Sequence, residues 1–182
     1  YETTSETTVR VIKGESNYAG NVVIPSSVSY NEVEYTVDAI GEYAFFECPK
    51  LRYVSLPESL KEFGRYGAVF VDCPELVRVD VDKDNEYYYS NGQVLVEKRT
   101  KTIIDGWGTE ICNAADFPKE LLPTRIGNNA FRKQSLLRYV ILPATIEEID
   151  GGAFSGCKNL RQMNCHATVP PVLGKDAFKL DE

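Results

Sequence analysis

The sequence predicts an α/β solenoid with short parallel strands stacked in one sheet, short helical turns opposite, and β-hairpin insertions. Three observations carry this expectation. First, residues 40–64 read IGEYAFFECPKLRYVSLPESLKEFG and residues 126–150 read IGNNAFRKQSLLRYVILPATIEEID, two copies of one frame. Second, the interval is nearly constant, with 23 positions from Ile40 to Phe63, 23 from Ile126 to Ile149 and 24 from Ile149 to Leu173. Third, the frame ends in L-x-x-V-x-L, where apolar residues two apart fall on one side of a strand.

A period of 23 lies within the leucine-rich-repeat range of roughly 20–29 residues, so the solenoid is read as a leucine-rich-repeat array. Residues 1–39 form an N-terminal leader and capping hairpin. The threonine-rich opening (Thr3, Thr4, Thr7, Thr8) reads as a polar leader with mobile first residues. Val28–Tyr30 should turn at Asn31 and Glu32 and return along Val33–Val37. Ile24–Pro25 mimics the L-P step of the frame, which makes this region a first coil covering the end of the core.

Residues 40–85 carry repeats. After Phe63 and Gly64 the second copy is delayed by two positions, then Phe70, Cys73, Leu76, Val79 and Val81 resume the spacing of Phe45, Cys48, Leu51, Val54 and Leu56. Residues 86–125 read as an elaborated coil. Tyr87–Tyr89, Asn91–Gly92, Val94–Val96 and a charged turn over 97–101 lead to Ile103–Ile104, before Phe117–Pro118 re-enters the L-P step. Residues 126–182 return to repeats, and 1–182 is expected to be one solenoid domain.

Each slot has a physical task. Leu51, Leu76, Leu137 and Leu160 should form one buried column, with Val54, Val79, Val140 and Met163 beside it. Pro57 and Pro143 end their strands because they lack an N–H for the ladder. The I-G-x-x-A-F stretch is spaced like one or two helical turns. It delivers Phe45, Phe70, Phe131, Phe154 and Phe178 into a buried aromatic column, where truncating an inner ring should cost ~3–5 kcal/mol.

Composition excludes several classes. Hydrophobic residues make up 43% and charged residues 26%, too apolar for disorder. Acids outnumber bases 27 to 20, which argues against nucleic acid and against an anionic membrane surface. No apolar run approaches the ~20 residues that span a bilayer. The chain opens at Tyr1 with no charged or apolar leader, so it reads as a mature segment from which any targeting signal has been removed.

The frame I-G-x-x-A-F-x-x-C-x-x-L-x-x-V-x-L-P resembles the BspA-like leucine-rich repeats. The likeness runs from about residue 18 to 178 and includes Y-A-G-N-V-V-I-P at Tyr18–Pro25 and T-V-P-P at Thr168–Pro171. The resemblance implies a bacterial surface or secreted protein engaged in adhesion and in binding host or neighbouring-cell proteins, without shared catalytic residues. The departures are Gln134 in the cysteine slot, Val69–Phe70 in place of A-F, and a missing final coil.

The chemical candidates are weak. Five cysteines follow neither disulfide nor zinc spacing. Cys48, Cys73 and Cys157 share one slot with Gln134, which reads as a small interior position. Cys48 and Cys73 lie on adjacent coils, but no disulfide is expected. Cys165 falls in the inward Leu slot and His166, the single histidine, on the opposite side, so they form no nucleophilic pair. Asp80, Asp82 and Asp84 imitate half a calcium loop but lack its glycine and its closing glutamate, and read as a solvated acidic turn. No enzyme activity, metal or cofactor is expected.

Binding is assigned to the outward strand positions Tyr53, Ser55, Arg78, Asp80, Tyr139, Ile141, Gln162 and Asn164. Tyrosine and arginine combine large contact area with polar handles, as protein recognition requires. The expected partner is a host extracellular or bacterial surface protein. The alternatives are a glycan stacked on Tyr87–Tyr89, Trp107 or the exposed tyrosines, and an architectural spacer.

Overall fold

The computed structural model describes residues 1–64, 69–111 and 114–180. The two-residue delay of the second copy lies at 65–68, and Cys112 also lies outside the described residues.

The L-x-x-V-x-L segments form parallel strands, as their alternation requires. They do not share one sheet. Ala19–Val23, Lys50–Leu56 and Arg78–Val81 make one three-stranded sheet, and Glu110–Ile111, Tyr139–Leu142 and Gln162–Cys165 make another. The cause is the stretch 86–109, which folds between them. Opposite run two further parallel ladders on separate sheets, one pairing Ile40 with Phe63 and the other joining Ile103, Ile126, Ile149 and Leu173 in succession. The intervals of 23 and 24 residues are therefore intervals between ladder partners.

The expected helical turns are absent. Among the described residues only two short 3-10 segments occur, Ala114–Asp116 and Lys119–Leu121. The reason is that three of the A-F loops hold two left-handed residues, two positions before and two after the Phe slot, and the other two hold one among the described residues. These are Tyr43 and Glu47, Asn129 and Lys133, Gly152 and Gly156, with Asp72 and Asp176 at the corresponding places in the other copies. Left-handed residues cannot continue a right-handed helix, so the segment breaks into successive turns. Ala44, Ala130 and Ala153 donate to the carbonyls three residues earlier, Gly41, Gly127 and Asp150.

The interior follows the frame. Leu51, Leu76, Leu137, Val54, Val79 and Val140 are buried, while Leu160 and Met163, in the last strand coil, are only partly covered. The aromatic column runs Tyr18, Phe45, Phe70, Trp107 at ring separations of 4.8, 5.2 and 5.7 Å. It resumes with Phe131, Phe154 and Phe178 at 5.0 and 5.3 Å. Phe178 stacks but stays 41% exposed, because no further coil lies over it among the described residues.

Both hairpins form where expected. Ser27–Tyr30 pairs antiparallel with Val33–Ile40, closed by Asn31 and Glu32 with φ of 48° and 65°. Tyr88–Ser90, Val94–Glu97 and Thr102–Gly106 form an antiparallel meander. The polar leader is ordered rather than loose. Glu2–Thr3 pairs with Val9–Arg10, and Thr8–Val11 runs parallel to the 33–40 strand. Tyr18 covers this end, its ring on Phe45 and its hydroxyl donating to the Ile12 carbonyl at 2.9 Å.

Candidate functional site

Strand register brings the outward residues together in two groups. Tyr53 stands beside Arg78 and Ser55 beside Asp80. Tyr139 stands beside Gln162 and Ile141 beside Asn164. The groups lie on separate sheets, so the expected continuous face is two patches.

The first patch is tied internally. Arg78 Nε donates to both Asp80 oxygens at 2.8 and 2.9 Å, and the Tyr53 hydroxyl donates to Asp80 Oδ2 at 3.2 Å. The hydrogen bond and charge of Asp80 raise the Arg78 guanidinium above its ordinary value. Exposed pairs of this kind add little stability. Their effect is to fix the orientation of an arginine and a tyrosine, which lowers the entropy lost when a partner binds. In the second patch Tyr139 is 43% exposed, and Gln162 Nε2 donates to Asn164 Oδ1 at 3.0 Å.

Three outward positions escaped sequence reading. Asn21 and Val23 pair with Tyr53 and Ser55, and Glu110 pairs with Tyr139. Counting back from Ile24–Pro25 as though it were Leu56–Pro57 locates the first two. Glu110 follows a shortened loop, so counting from the frame misses it.

The glycan alternative loses its central residue. Trp107 is fully buried, its indole N–H donating to the Gly92 carbonyl at 2.6 Å. Tyr88 is buried too, whereas Tyr87 is exposed. Cys165 corresponds to Leu142 in register but is exposed, because its coil is the last strand of its sheet. No hydrogen bond joins it to His166 among the described residues.

The interior thiols serve the stack. Cys73 donates to the Phe45 carbonyl and Cys157 to that of Phe131, each at 2.9 Å, and burial pushes them up to about 12 and about 11. Cys48 is likewise a free thiol. Asp80 is taken by Arg78 and Tyr53. Asp82 and Asp84 instead approach Glu58, all three solvent-exposed, with Asp82 accepting the Asp84 amide and Lys83 paired to Asp84.

The BspA type Leucine rich repeat region matches residues 21–93 and 112–180 in six copies. The chain belongs to this family. The unmatched stretch between the two segments contains the strands of the meander from Val94 onward and the shortened loop that follows. Solved structures agree on the fold of this BspA-type chain. A leucine-rich cell surface protein of Faecalibacterium prausnitzii aligns with a TM-score of 0.52 at 21% identity, over 98% of this chain and 43% of that one. A leucine-rich repeat protein of Eubacterium ventriosum gives 0.55 at 18%, over 79% and 44%. The leucine-rich repeat protein of T. pallidum gives 0.50 at 19%, over 100% and 87%. The chain thus spans less than half the length of the first two. No curated protein matches the sequence. The match indicates no catalytic family, and no helix among the described residues is long and apolar enough to cross a membrane.

Proposed function

We propose that this BspA-type chain is a cell-surface or secreted module that binds a protein partner through its outward strand positions, 1–182 acting as one solenoid unit. The observation that supports this most is the Tyr53–Asp80–Arg78 cluster, two recognition side chains held in place on a sheet whose other side is core. The second patch adds the exposed Tyr139 ring beside Ile141, Gln162 and Asn164. A surface location is in keeping with the Faecalibacterium protein, itself described as a cell surface protein. The expected partner is a host extracellular-matrix or bacterial surface protein.

The test is capture of a panel of such proteins by the purified chain, compared with the triple variant Tyr53→Ala, Arg78→Ala, Tyr139→Ala. Capture should be lost while the melting temperature moves by only about 2–4 °C, since none of the three is buried. Unchanged capture removes these patches from consideration.

A further inference from the structure

Counting coils from the one that opens at Ile40, the third, which opens at Ile103, is cut short. Thirteen positions lead from Ile40 to Tyr53, from Ile126 to Tyr139 and from Ile149 to Gln162, but only seven from Ile103 to Glu110, its register partner. What is missing is the loop that elsewhere carries the cysteine slot, although Gly108, two positions after Gly106, keeps a positive φ of 103°. Gly106 donates to the Ala130 carbonyl just as Phe131 donates to that of Ala153, so Gly106 holds the Phe position and the chain then turns directly into the strand. Coils on either side face each other across the gap, where Lys133 Nζ reaches Asp72 at 3.4 Å over 61 positions of sequence. A notch of about 390 Å³ remains.

We propose that this notch receives an arginine side chain from a loop of a partner protein, a second site beyond the outward strand patches. Its volume lies within the roughly 300–1,000 Å³ of ordinary ligand pockets. Gln134 lines it, is only 8% exposed, and its side-chain amide has no hydrogen-bond partner among the described residues. In neighbouring coils the same slot holds a cysteine whose thiol reaches the Phe carbonyl of the coil before. Gln134 is the slot that faces the missing loop, and there the thiol is replaced by an amide turned into the notch. The amide is not among the sealed-off unpaired atoms of the described residues, so it is open to the notch and can bond a ligand there.

Charge selects the ligand. Glu47 and Asp72 line the notch against a single cation, Lys133, which engages Asp72 and leaves the Glu47 carboxylate without a partner among the described residues. The site therefore carries one surplus negative charge, the Glu47 carboxylate, with Gln134 Oε1 as a further acceptor. A guanidinium offers five donors in a plane and an apolar stem, and the rings of Pro49 and Pro74 give that stem and plane a surface to lie on.

The experiment is an NMR titration of the ¹⁵N-labelled chain with acetyl-Gly-Arg-Gly-amide, beside the matching lysine and glutamate peptides. The Gln134 side-chain amide and the Glu47 and Asp72 backbone amides should shift saturably, with affinity on the order of millimolar for so small a ligand. Glu47→Gln should weaken binding about tenfold, the loss of one charge-assisted contact. Gln134→Cys, which restores the family slot, should weaken it as well. The Tyr53, Arg78, Tyr139 triple variant should bind the peptide unchanged, which separates this site from the strand patches. Unmoved Gln134 signals, equal shifts with the lysine or glutamate peptide, or full binding by Glu47→Gln would each overturn the proposal. Because Glu47 is exposed, that variant remains informative even if Gln134→Cys does not fold.

Discussion

The Phe131 ring lies where a side chain on Gly106 would stand: a Cβ built on Gly106 would fall inside the van der Waals envelope of that ring. Gly106 occupies the position that is Phe in the regular coils, and its lack of a side chain leaves room for the Phe131 ring. Phe131 is stacked on Phe154 with an interplanar angle of 8° and is fully buried. Gly106→Ala should destabilise the chain by about 3 kcal/mol, the upper part of the usual range for core overpacking. Urea unfolding measures this, and a wild-type midpoint would mean that the ring has a second seat.

The aromatic column should grade in strength from its interior to its end. Phe154 lies between two stacked rings and is buried, whereas Phe178 has a ring on one side and solvent on the other. Phe154→Ala is expected to cost about 4 kcal/mol, and Phe178→Ala about 1 kcal/mol. Equal losses in calorimetry would show that the end of the array is held by something other than stacking.

Much of this architecture was legible from the chain because strand alternation and the interval between copies are direct consequences of ladder geometry. The Ile40–Phe63 and Ile126–Ile149 spacings are pairings in the fold. Asn31 and Glu32 were readable as a turn because little else can follow Val28–Tyr30 and precede Val33–Val37. The A-F loops misled, since their apolar spacing suits a helical turn equally well and backbone handedness at Glu47 or Lys133 leaves no mark in the side chain. Trp107 misled for a related reason. Between Gly106 and Gly108 it looks exposed, yet it fills the column where the third coil has no Phe. The notch was invisible because it depends on residues 61 apart meeting over an omitted loop.

Handedness at Glu47 can be tested directly. A non-glycine residue in the left-handed region costs about 1–2 kcal/mol, and the glycine at the equivalent place in the fifth coil, Gly156, avoids that cost. Glu47→Gly should therefore stabilise the fold by about 0.5–1 kcal/mol after the larger entropy of glycine in the unfolded chain is counted. Glu47→Ala, with the same backbone demand, should give no such gain. A thermal melt in which alanine matches glycine would rule out backbone strain as the cause.

Asp105 occupies the small Ala slot of the third coil and is 2% exposed. Its carboxyl accepts the amide of Gly106 at 2.9 Å and is favoured by the nearby Phe70 amide, but Oδ2 has no partner. Burial, only partly offset by those two amides, raises it well above the ordinary carboxylate range. The folded state therefore holds this proton more tightly than the unfolded state. Asp105 contributes most stability below the usual carboxylate pKa, and that contribution is lost as pH rises toward the elevated folded value. Asp105→Asn keeps the acceptor and removes the ionisation, so its melting temperature relative to wild type should climb from pH 4 to pH 8. A difference that stays flat across that range would mean that Asp105 keeps its ordinary ionisation in the fold.

Asn85 lies in the stretch that imitates a calcium loop, and its surroundings call for an amide instead. It is 1% exposed, and its Nδ2 donates to the carbonyls of Pro57, Glu58 and Leu60 at 3.0, 3.1 and 2.8 Å. Its Oδ1 accepts the amides of Tyr87 and Tyr88 at 2.9 and 2.7 Å, so one side chain fastens the entry to the meander onto the turn of the preceding coil. Asn85→Ala strands several buried backbone groups at once and should cost about 3 kcal/mol or more. Asn85→Asp keeps the shape but sets a carboxylate oxygen against three carbonyl oxygens. That variant should be closer to wild type in acid, where the carboxyl is protonated, and weaken as pH rises. Parallel denaturation of both variants at pH 4 and pH 7 checks this, and an Asn85→Asp chain as stable as wild type at pH 7 would show that the three carbonyls do not require a donor.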